Sequence, residues 1–330
     1  MLLLRYRNTV RNVTSQPAKY PHSAQGVQDL ILNKIFQFVA PKHRYFVEFG
    51  FDAAEYKASM GANTASLHEQ GWNGLLLDRE YENSKINLHT ETVTPANIVS
   101  LLEKYNVPYD VDYISIDIDS VDVFVFFSIL QSKYRPAVIS SEYNCLLPLY
   151  SNLCASGVNR TSGEPFRYTG HRVCKNLRTL FALWRTYPLL TWTLPILLIV
   201  GSSILPLKTT ADMFGYSIVA VDLGLDVFFV RNDLLNATSI LPYDHWGIYT
   251  ANYTLHPTFG TSISKPRNPY NKCWTEGPRN RALNHTDLID SYFVRFDEWL
   301  QNGHNLSHAA GPVVFEEIDR MHIVLDRHVP

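Results

Sequence analysis

The stretch DYISIDIDSVD, residues 112–122, alternates apolar and polar side chains and carries four aspartates. The alternation over 112–119 predicts a β-strand. The stretch that follows, VDVFVFFSILQSKY at 121–134, is compatible with a helix. A strand that is buried on both faces of a sheet is normally apolar, so the acids in this one require a chemical explanation.

Similar patterns repeat on both sides of this stretch. They predict strands at 45–50, 74–78, 112–119 and 136–144, a weaker strand near 86–92, and helices at 26–40, 63–70, 94–106, 121–134 and part of 202–215. Residues 216–231 split into the two strands of a hairpin. Strands that alternate with helices predict an α/β fold with a mostly parallel sheet, to which the terminal hairpin adds an antiparallel edge strand. After residue 240, only 285–302 has a clear helical pattern.

The composition argues against some classes of partner. The chain has 330 residues and a formal net charge of −2, without a basic stripe, which argues against nucleic acid as a partner. Its four cysteines form no CxxC pair and no zinc-spaced cluster with histidine, so no metal site is predicted.

The compartment is not decided by the sequence, although a cytoplasmic location is favoured. The start, MLLLR, is too short for the apolar region of a signal peptide. Residues 186–207 are uncharged and long enough to span a bilayer, but three prolines interrupt them and disfavour a membrane helix. Membrane association through this segment is therefore a secondary alternative.

Four of the predicted strands end in or near an acid: Glu48, Asp78, Asp117 or Asp119, and Glu142. The carboxyl ends of parallel strands share one edge of a sheet, and α/β proteins bind ligands at that edge. Clustered acids suit a ligand with hydroxyls and a positive charge. A pyrophosphate is disfavoured, because Gly50 stands alone after the first strand and the chain has neither a G-x-G-x-x-G motif nor a P-loop. The pattern indicates S-adenosylmethionine, with the ribose hydroxyls bonded to Asp78.

The acids also have structural interpretations. Asp112 is expected to cap the start of its strand and to face water. Asp119 or Asp122 is a candidate N-cap for the helix that follows. The acids that end the other strands have structural alternatives too: an ion pair with a buried Arg or Lys for Glu48, a local ion pair with a nearby base for Asp78, and hydrogen bonds from backbone N–H groups of a loop for Glu142.

Three stretches resemble motifs of FkbM-type methyltransferases, a family of class I S-adenosylmethionine-dependent enzymes. The first is YFVEFGFDAAEYKASMGANTASLHEQGWNGLLLD at 45–78. The second combines YISIDIDSVD with RPAVISSEYN, and the third, GYSIVAVDLGLDVFFVRNDLL at 215–235, is similar to the closing hairpin of the family. The resemblance covers about 44–145 and 201–235. The residues that match are Phe46, Glu48, Gly50, Asn63, Thr64, Leu67, Glu69, Gly71, Trp72, Gly74, Ser115, Asp117, Asp119, Asp122, Pro136, Glu142, Tyr143 and Asn144.

The resemblance implies a Rossmann-like, doubly wound fold that transfers a methyl group from S-adenosylmethionine to a hydroxyl or similar heteroatom of a small molecule or glycan. It places the methyltransferase-like domain at 44–235, between an N-terminal extension with a helix at 1–43 and a C-terminal extension at 236–330. Together with the strand-end pattern, it implies cofactor-binding roles for Glu48, Gly50, Asn63, Thr64, Asp78 and Asp117, and catalytic roles on the acceptor side for Asp119 and Glu142.

Departures from the family pattern leave a second interpretation open. Ala53 and Ser120 replace glycines of the family, which puts a Cβ where a backbone can require positive φ or close approach. A catalytically degenerate protein that keeps the fold for protein interaction is therefore the alternative function. The atypical insertion at about 150–200 is either a lid over the acceptor pocket or a translated intron that is foreign to the fold.

Overall fold

The computed structural model describes residues 28–59, 62–118, 121–144, 152–155, 201–222, 225–235 and 293–301, with the single residues 238, 240 and 242. Its strands are β1 Tyr45–Phe49, β2 Asn73–Asp78, β3 Leu88–Thr90, β4 Tyr113–Ile116, β5 Val138–Glu142, β6 Leu153–Ala155, β7 Tyr216–Val221, β8 Asp226–Arg231 and β9 Phe293–Arg295. Its helices are α1 Gln28–Ile35, α2 Ala65–Glu69, α3 Ile98–Lys104, α4 Asp122–Gln131, α5 Ile204–Met213, α6 Asn232–Leu235 and α7 Phe296–Gln301. A 3₁₀ turn at Ser84–Ile86 precedes β3.

Seven strands form one mixed, mostly parallel sheet in the order β3-β2-β1-β4-β5-β8-β7. All neighbouring pairs from β3 to β5 are parallel, whereas β8 is antiparallel to both β5 and β7. The predicted α/β class with a mostly parallel sheet is therefore confirmed. The predicted terminal hairpin is also confirmed, because β7 and β8 pair antiparallel. Its reversed strand β8 is internal, however, so the expectation that the reversed strand lies at the edge is wrong, and the edge strand β7 runs in the same direction as β5. The apolar run of β8 is buried along nearly its whole length, which suits an internal position.

Helices cover both faces of the sheet, because alternate residues of each strand point to opposite sides. On one face, Val47 and Phe49 of β1 join a core with α3, α4, α5 and α7. On the other face, Phe46 of β1 and Tyr113 of β4 join a core with α1 and α2. We call this second side the α1/α2 face, and Glu48 lies on it because it is two residues from Phe46.

Two short strands outside the main sheet bring distant parts of the chain together. β6 pairs with β9, and the backbone N–H of Ala155 donates to the carbonyl of Gly201 at 2.8 Å. Phe296 and Trp299, at the start of α7 and within it, pack against Phe124 of α4. The helix predicted at 285–302 is therefore wrong at 293–295, where pairing with β6 makes a strand, and right at 296–301. Residues 285–292 and 156–200 lie outside the described residues.

Asp112 contradicts the expectation that it faces water. Its side chain is buried and accepts hydrogen bonds from the backbone N–H groups of Lys42, His43 and Tyr45 at 2.5, 2.9 and 3.1 Å. These donors lie just before or at the start of β1, whose neighbour in the sheet is β4. Because parallel strands start at the same edge, an acid at the start of β4 reaches the turn that leads into β1.

Within the described part of the chain, no helix combines the length and apolarity needed to cross a membrane. Most of the candidate span at 186–207 falls outside that part. Its last residues, from Ile204 onward, belong to α5, which packs in the core.

Candidate active site

The strand-end residues predicted from the sequence fall on one row across the sheet. Phe49 pairs with Leu77 and Ile116, and Ile116 pairs with Ser141. One position further along each strand come the residues Gly50, Asp78, Asp117 and Glu142. The antiparallel strand β8 completes this carboxyl-edge row, because Asp226 pairs with Glu142. Strands lie about 4.8 Å apart, so the row spans roughly 19 Å from Asp78 on β2 to Asp226 on β8.

Gly50 brings the loops after β1 and β4 into close contact. Its φ of +80° is a left-handed conformation that favours glycine, and a Cβ added there would lie 1.7 Å from the carbonyl oxygen of Asp117. The N–H of Gly50 donates to Leu77 on the other side, at 2.9 Å. Gly50 therefore joins the ends of β1, β2 and β4 at the centre of the row.

Glu48 holds the turn that starts α2. Its buried carboxylate accepts hydrogen bonds from the backbone N–H of Asn63 at 2.8 Å, from the backbone N–H of Thr64 at 3.2 Å and from the Thr64 hydroxyl. The ion pair considered as an alternative is thus replaced by hydrogen bonds to a turn. Three of the predicted cofactor-binding residues, Glu48, Asn63 and Thr64, are therefore in direct contact with one another.

A buried polar network extends from this turn across the α1/α2 face. The Asn63 side-chain amide donates to the Ser115 hydroxyl at 3.0 Å and to Asp226 Oδ2 at 3.3 Å. The Ser140 hydroxyl lies 3.3 Å from that of Ser115 and 2.7 Å from that of Tyr113. Adjacent strands β4, β5 and β8 thus share polar side chains with the Asn63 turn beneath the carboxyl edge.

Asp226 was not predicted as a site residue, although the same signal was present. It is an acid at one end of an apolar strand, but at the amino end, whereas the other acids lie at carboxyl ends. Because β8 runs antiparallel, its amino end lies at the edge formed by the carboxyl ends of its neighbours. The direction of β8 was needed to find this residue.

Two carboxyl groups of the network have pKa values far above their ordinary range. Burial raises the pKa of Glu48 to about 7. The negative charge of Asp52 also raises this pKa, whereas the hydrogen bonds from Thr64 and Asn63 lower it. Burial likewise raises the pKa of Asp226 to about 7, and the negative charges of Asp222 and Glu48 act in the same direction. The neighbouring charges that act on this pair are negative, so the region favours a cation.

Asp78 ends β2 and shapes the turn that follows. Its Oδ1 accepts hydrogen bonds from the backbone N–H groups of Glu80 at 2.7 Å and Tyr81 at 3.0 Å. The side chain is half-buried, as are those of Asp117 and Glu142 on the same row. Asp78 thus bonds to backbone N–H groups, the arrangement expected for Glu142, whereas the alternative expected for Asp78 was an ion pair with a nearby base.

The remaining candidates lie around the start of α4. Asp122 is buried in the first turn of α4, and its Oδ1 accepts a hydrogen bond from the backbone N–H of Ile118 at 2.8 Å. It therefore bonds to the loop before the helix, and Val121 is the N-cap residue. Asp119 and Ser120 lie outside the described residues. No group of three or more His, Cys, Asp or Glu side chains in the described ranges is arranged to hold a metal ion.

No protein-family model matches the chain, and no curated protein matches it.

Proposed function

We propose that this chain is an FkbM-type, S-adenosylmethionine-dependent methyltransferase that methylates a hydroxyl or similar heteroatom of a small molecule or glycan. The observation that carries the proposal is the carboxyl-edge row, on which Gly50, Asp78, Asp117 and Glu142 occupy one register position. This row lies where α/β proteins bind their ligands.

The strand order supports a Rossmann-like, doubly wound architecture. In chain order, β1, β2 and β3 are added toward one edge of the sheet and β4 and β5 toward the other, so the strand order reverses between β1 and β4. Helices pack on both faces. In doubly wound sheets the ligand binds outside the carboxyl ends of the strands at this reversal. Gly50 and Asp117 meet at that point, so a ligand placed there lies beside both loops.

The chemistry of the row supports a phosphate-free, cationic nucleoside. Half-buried Asp78 ends β2 on the carboxyl-edge row, and we assign it the hydrogen bonds to the ribose hydroxyls, because a carboxylate accepts two hydroxyl protons at once. Glu48 holds the Asn63–Thr64 turn, and through this turn it would bind the methionine end of the cofactor. The negative surroundings of Glu48 and Asp226 favour the sulfonium charge.

The role of the protein in methyl transfer is mainly alignment. S-adenosylmethionine, when bound, supplies an electrophilic methyl group. The loops after β1 and β4 would hold and orient the cofactor, so that its methyl group and the acceptor are aligned for direct transfer. We assign removal of the acceptor's proton to Glu142, at the end of β5, with Asp119 as the second candidate.

One departure from the family pattern does not strain the backbone. Ala53 is buried and is absent from the described non-glycine residues with positive φ, which are Arg44, Asn87 and Asn106. An alanine at this position therefore needs no left-handed conformation. This favours an active enzyme over a catalytically degenerate protein that acts in protein interaction.

Binding of S-adenosylmethionine is tested by isothermal titration calorimetry on the full chain, with NAD⁺ as a negative control. The key variant is Asp78→Asn, because asparagine keeps an oxygen for the turn N–H groups but loses the charge. The matched control is Asp110→Asn, which removes an acid that pairs with His43 and Lys42 on the surface. We expect Asp78→Asn to weaken binding about tenfold or more, the effect of a hydrogen bond to a charged group, with the control unchanged. Absence of heat with the wild-type chain at millimolar ligand would refute the proposal.

Turnover is tested with a donor that carries a labelled methyl group, incubated with fractions of small molecules and glycans. We expect label in one fraction and a loss of transfer, without loss of donor binding, in Glu142→Gln. Donor binding without transfer to any fraction would favour the degenerate alternative.

A further inference from the structure

Asp226 is a buried carboxyl within the polar network of the α1/α2 face. Its side chain is 2% exposed, and its Oδ2 accepts a hydrogen bond from Asn63, whose backbone N–H is held by Glu48. Gln28 of α1 also contributes a hydrogen bond to Asp226. Four elements therefore meet at Asp226. The Asn63 turn, held by β1, and α1 contribute hydrogen bonds, and β5 is the neighbouring strand.

Two buried oxygens of this network lack a donor among the described residues. They are Oδ1 of Asp226 and Oδ1 of Asn63. A buried acceptor without a donor destabilises a fold by about 1–3 kcal/mol. The pair is therefore an unfavourable arrangement for the fold itself.

The electrostatic surroundings add to this cost. Asp222 and Glu48 act on Asp226 as like charges, and burial further disfavours its ionised form. A buried carboxyl whose pKa is strongly raised by burial and by neighbouring charges is a candidate functional group. The carboxyl-edge row is where such a function arises, because Asp226 pairs in register with Glu142.

We infer that Asp226 determines ligand specificity at the proposed site, by favouring cationic S-adenosylmethionine over its neutral thioether product, S-adenosylhomocysteine. The inference rests on the proposed function, because it concerns the ligand of the same site. The two ligands differ by one methyl group and one positive charge, so a negative charge nearby stabilises only the first. Loss of the positive charge on methyl transfer then removes this attraction and favours release of the product.

The expected size of the effect follows from the position of Asp226 in the sheet. A ligand at the β1/β4 reversal lies two to three strands from β8, about 10–14 Å at a spacing of about 4.8 Å. One unit charge at about 12 Å, in an effective dielectric constant of about 20, changes an affinity roughly tenfold.

The test measures the dissociation constants of both ligands by calorimetry at pH 8, for the full wild-type chain and for Asp226→Asn. Asparagine has the shape of aspartate and retains an acceptor for the Asn63 amide, so the variant isolates the charge. Asp110→Asn, at the opposite edge of the sheet, controls for a change in net charge alone. We expect Asp226→Asn to bind S-adenosylmethionine about tenfold more weakly, with little change for S-adenosylhomocysteine and none for either ligand in the control.

Each other outcome is decisive. Equal weakening of both ligands by Asp226→Asn would assign Asp226 a structural role and overturn the inference, while the proposed function stands. Wild-type protein that binds neither ligand would overturn the proposed function, and the inference with it. Thermal unfolding of Asp226→Asn at pH 8 is a second readout: a melting temperature at or above that of the wild type is expected, because a buried charge is removed. A variant that does not fold would show that Asp226 is required for the structure and would also overturn the inference.

Discussion

Replacement of Gly50 by alanine tests the close approach of the loops after β1 and β4. Gly71 provides a matched control, because its φ is also +80° but an added Cβ there meets nothing within 4 Å. Gly71 follows Gln70, the C-cap residue of α2, and its N–H donates to the carbonyl of His68 at 2.9 Å. The two substitutions therefore share the backbone penalty and differ in the contact.

The expected free energies follow from this difference. A left-handed conformation disfavours alanine by about 1 kcal/mol, and this is the whole expected loss for Gly71→Ala. In Gly50→Ala the new Cβ would lie 1.7 Å from the Asp117 carbonyl oxygen, a distance that must grow to at least 3.0 Å. Separating two packed backbones adds about 1–3 kcal/mol, so the total expected loss is about 2–4 kcal/mol.

The assay is urea unfolding at 25 °C, followed by far-ultraviolet circular dichroism, with both variants made in the full chain. We expect Gly50→Ala to lose at least about 1 kcal/mol more than Gly71→Ala. Under the proposed function, Gly50→Ala also weakens S-adenosylmethionine binding, because the loops that flank the ligand move apart. Equal losses for the two variants would refute the close contact between Gly50 and Asp117.

Three further predictions address other parts of the chain. Asp112→Asn should lower the free energy of unfolding by about 1–3 kcal/mol, because three backbone N–H groups lose a charged acceptor. The control Asp110→Asn, at a surface ion pair, should change the free energy of unfolding by under about 1 kcal/mol. Urea unfolding measures both variants. The folded-state pKa of Glu48 is raised to about 7, so its stabilising contribution is complete below its ordinary pKa and is lost as pH rises through about 7. Glu48→Gln should therefore flatten the fall in melting temperature between about pH 5 and 8, and an unchanged profile, matching that of exposed Glu69→Gln, would contradict this. Replacement of 156–200 by a four-residue Gly-Ser linker should leave the fold intact, because the flanking residues Ala155 and Gly201 are already hydrogen bonded to each other at 2.8 Å. Circular dichroism and urea unfolding check this, and an insoluble or unfolded product would contradict it.

The local hydrophobic patterns of the sequence were sufficient to predict the strands of the main sheet. The predicted strand at 136–144 contains β5 Val138–Glu142, and the weak pattern near 86–92 contains β3 Leu88–Thr90. The hydrophobic periodicity that marks a strand depends only on residues that are neighbours in sequence, so it can be recognised without knowing the fold. The prediction at 285–302 failed at β9 because a partner strand far along the chain overrides local preference.

What the sequence determined by itself was the identity of the strands, the acids and glycine at their ends, and hence the edge where a ligand is expected. Only the tertiary structure decided which of those acids contact backbone: Asp112 turned inward to the β1 turn, and Glu48 to the Asn63 turn. It also decided that β8 runs antiparallel, which brings Asp226 to the same edge as Glu142. The physical reason is that periodicity and strand ends are local properties of the chain, whereas hydrogen-bond partners, burial and strand direction depend on residues that are distant in sequence and adjacent only after folding.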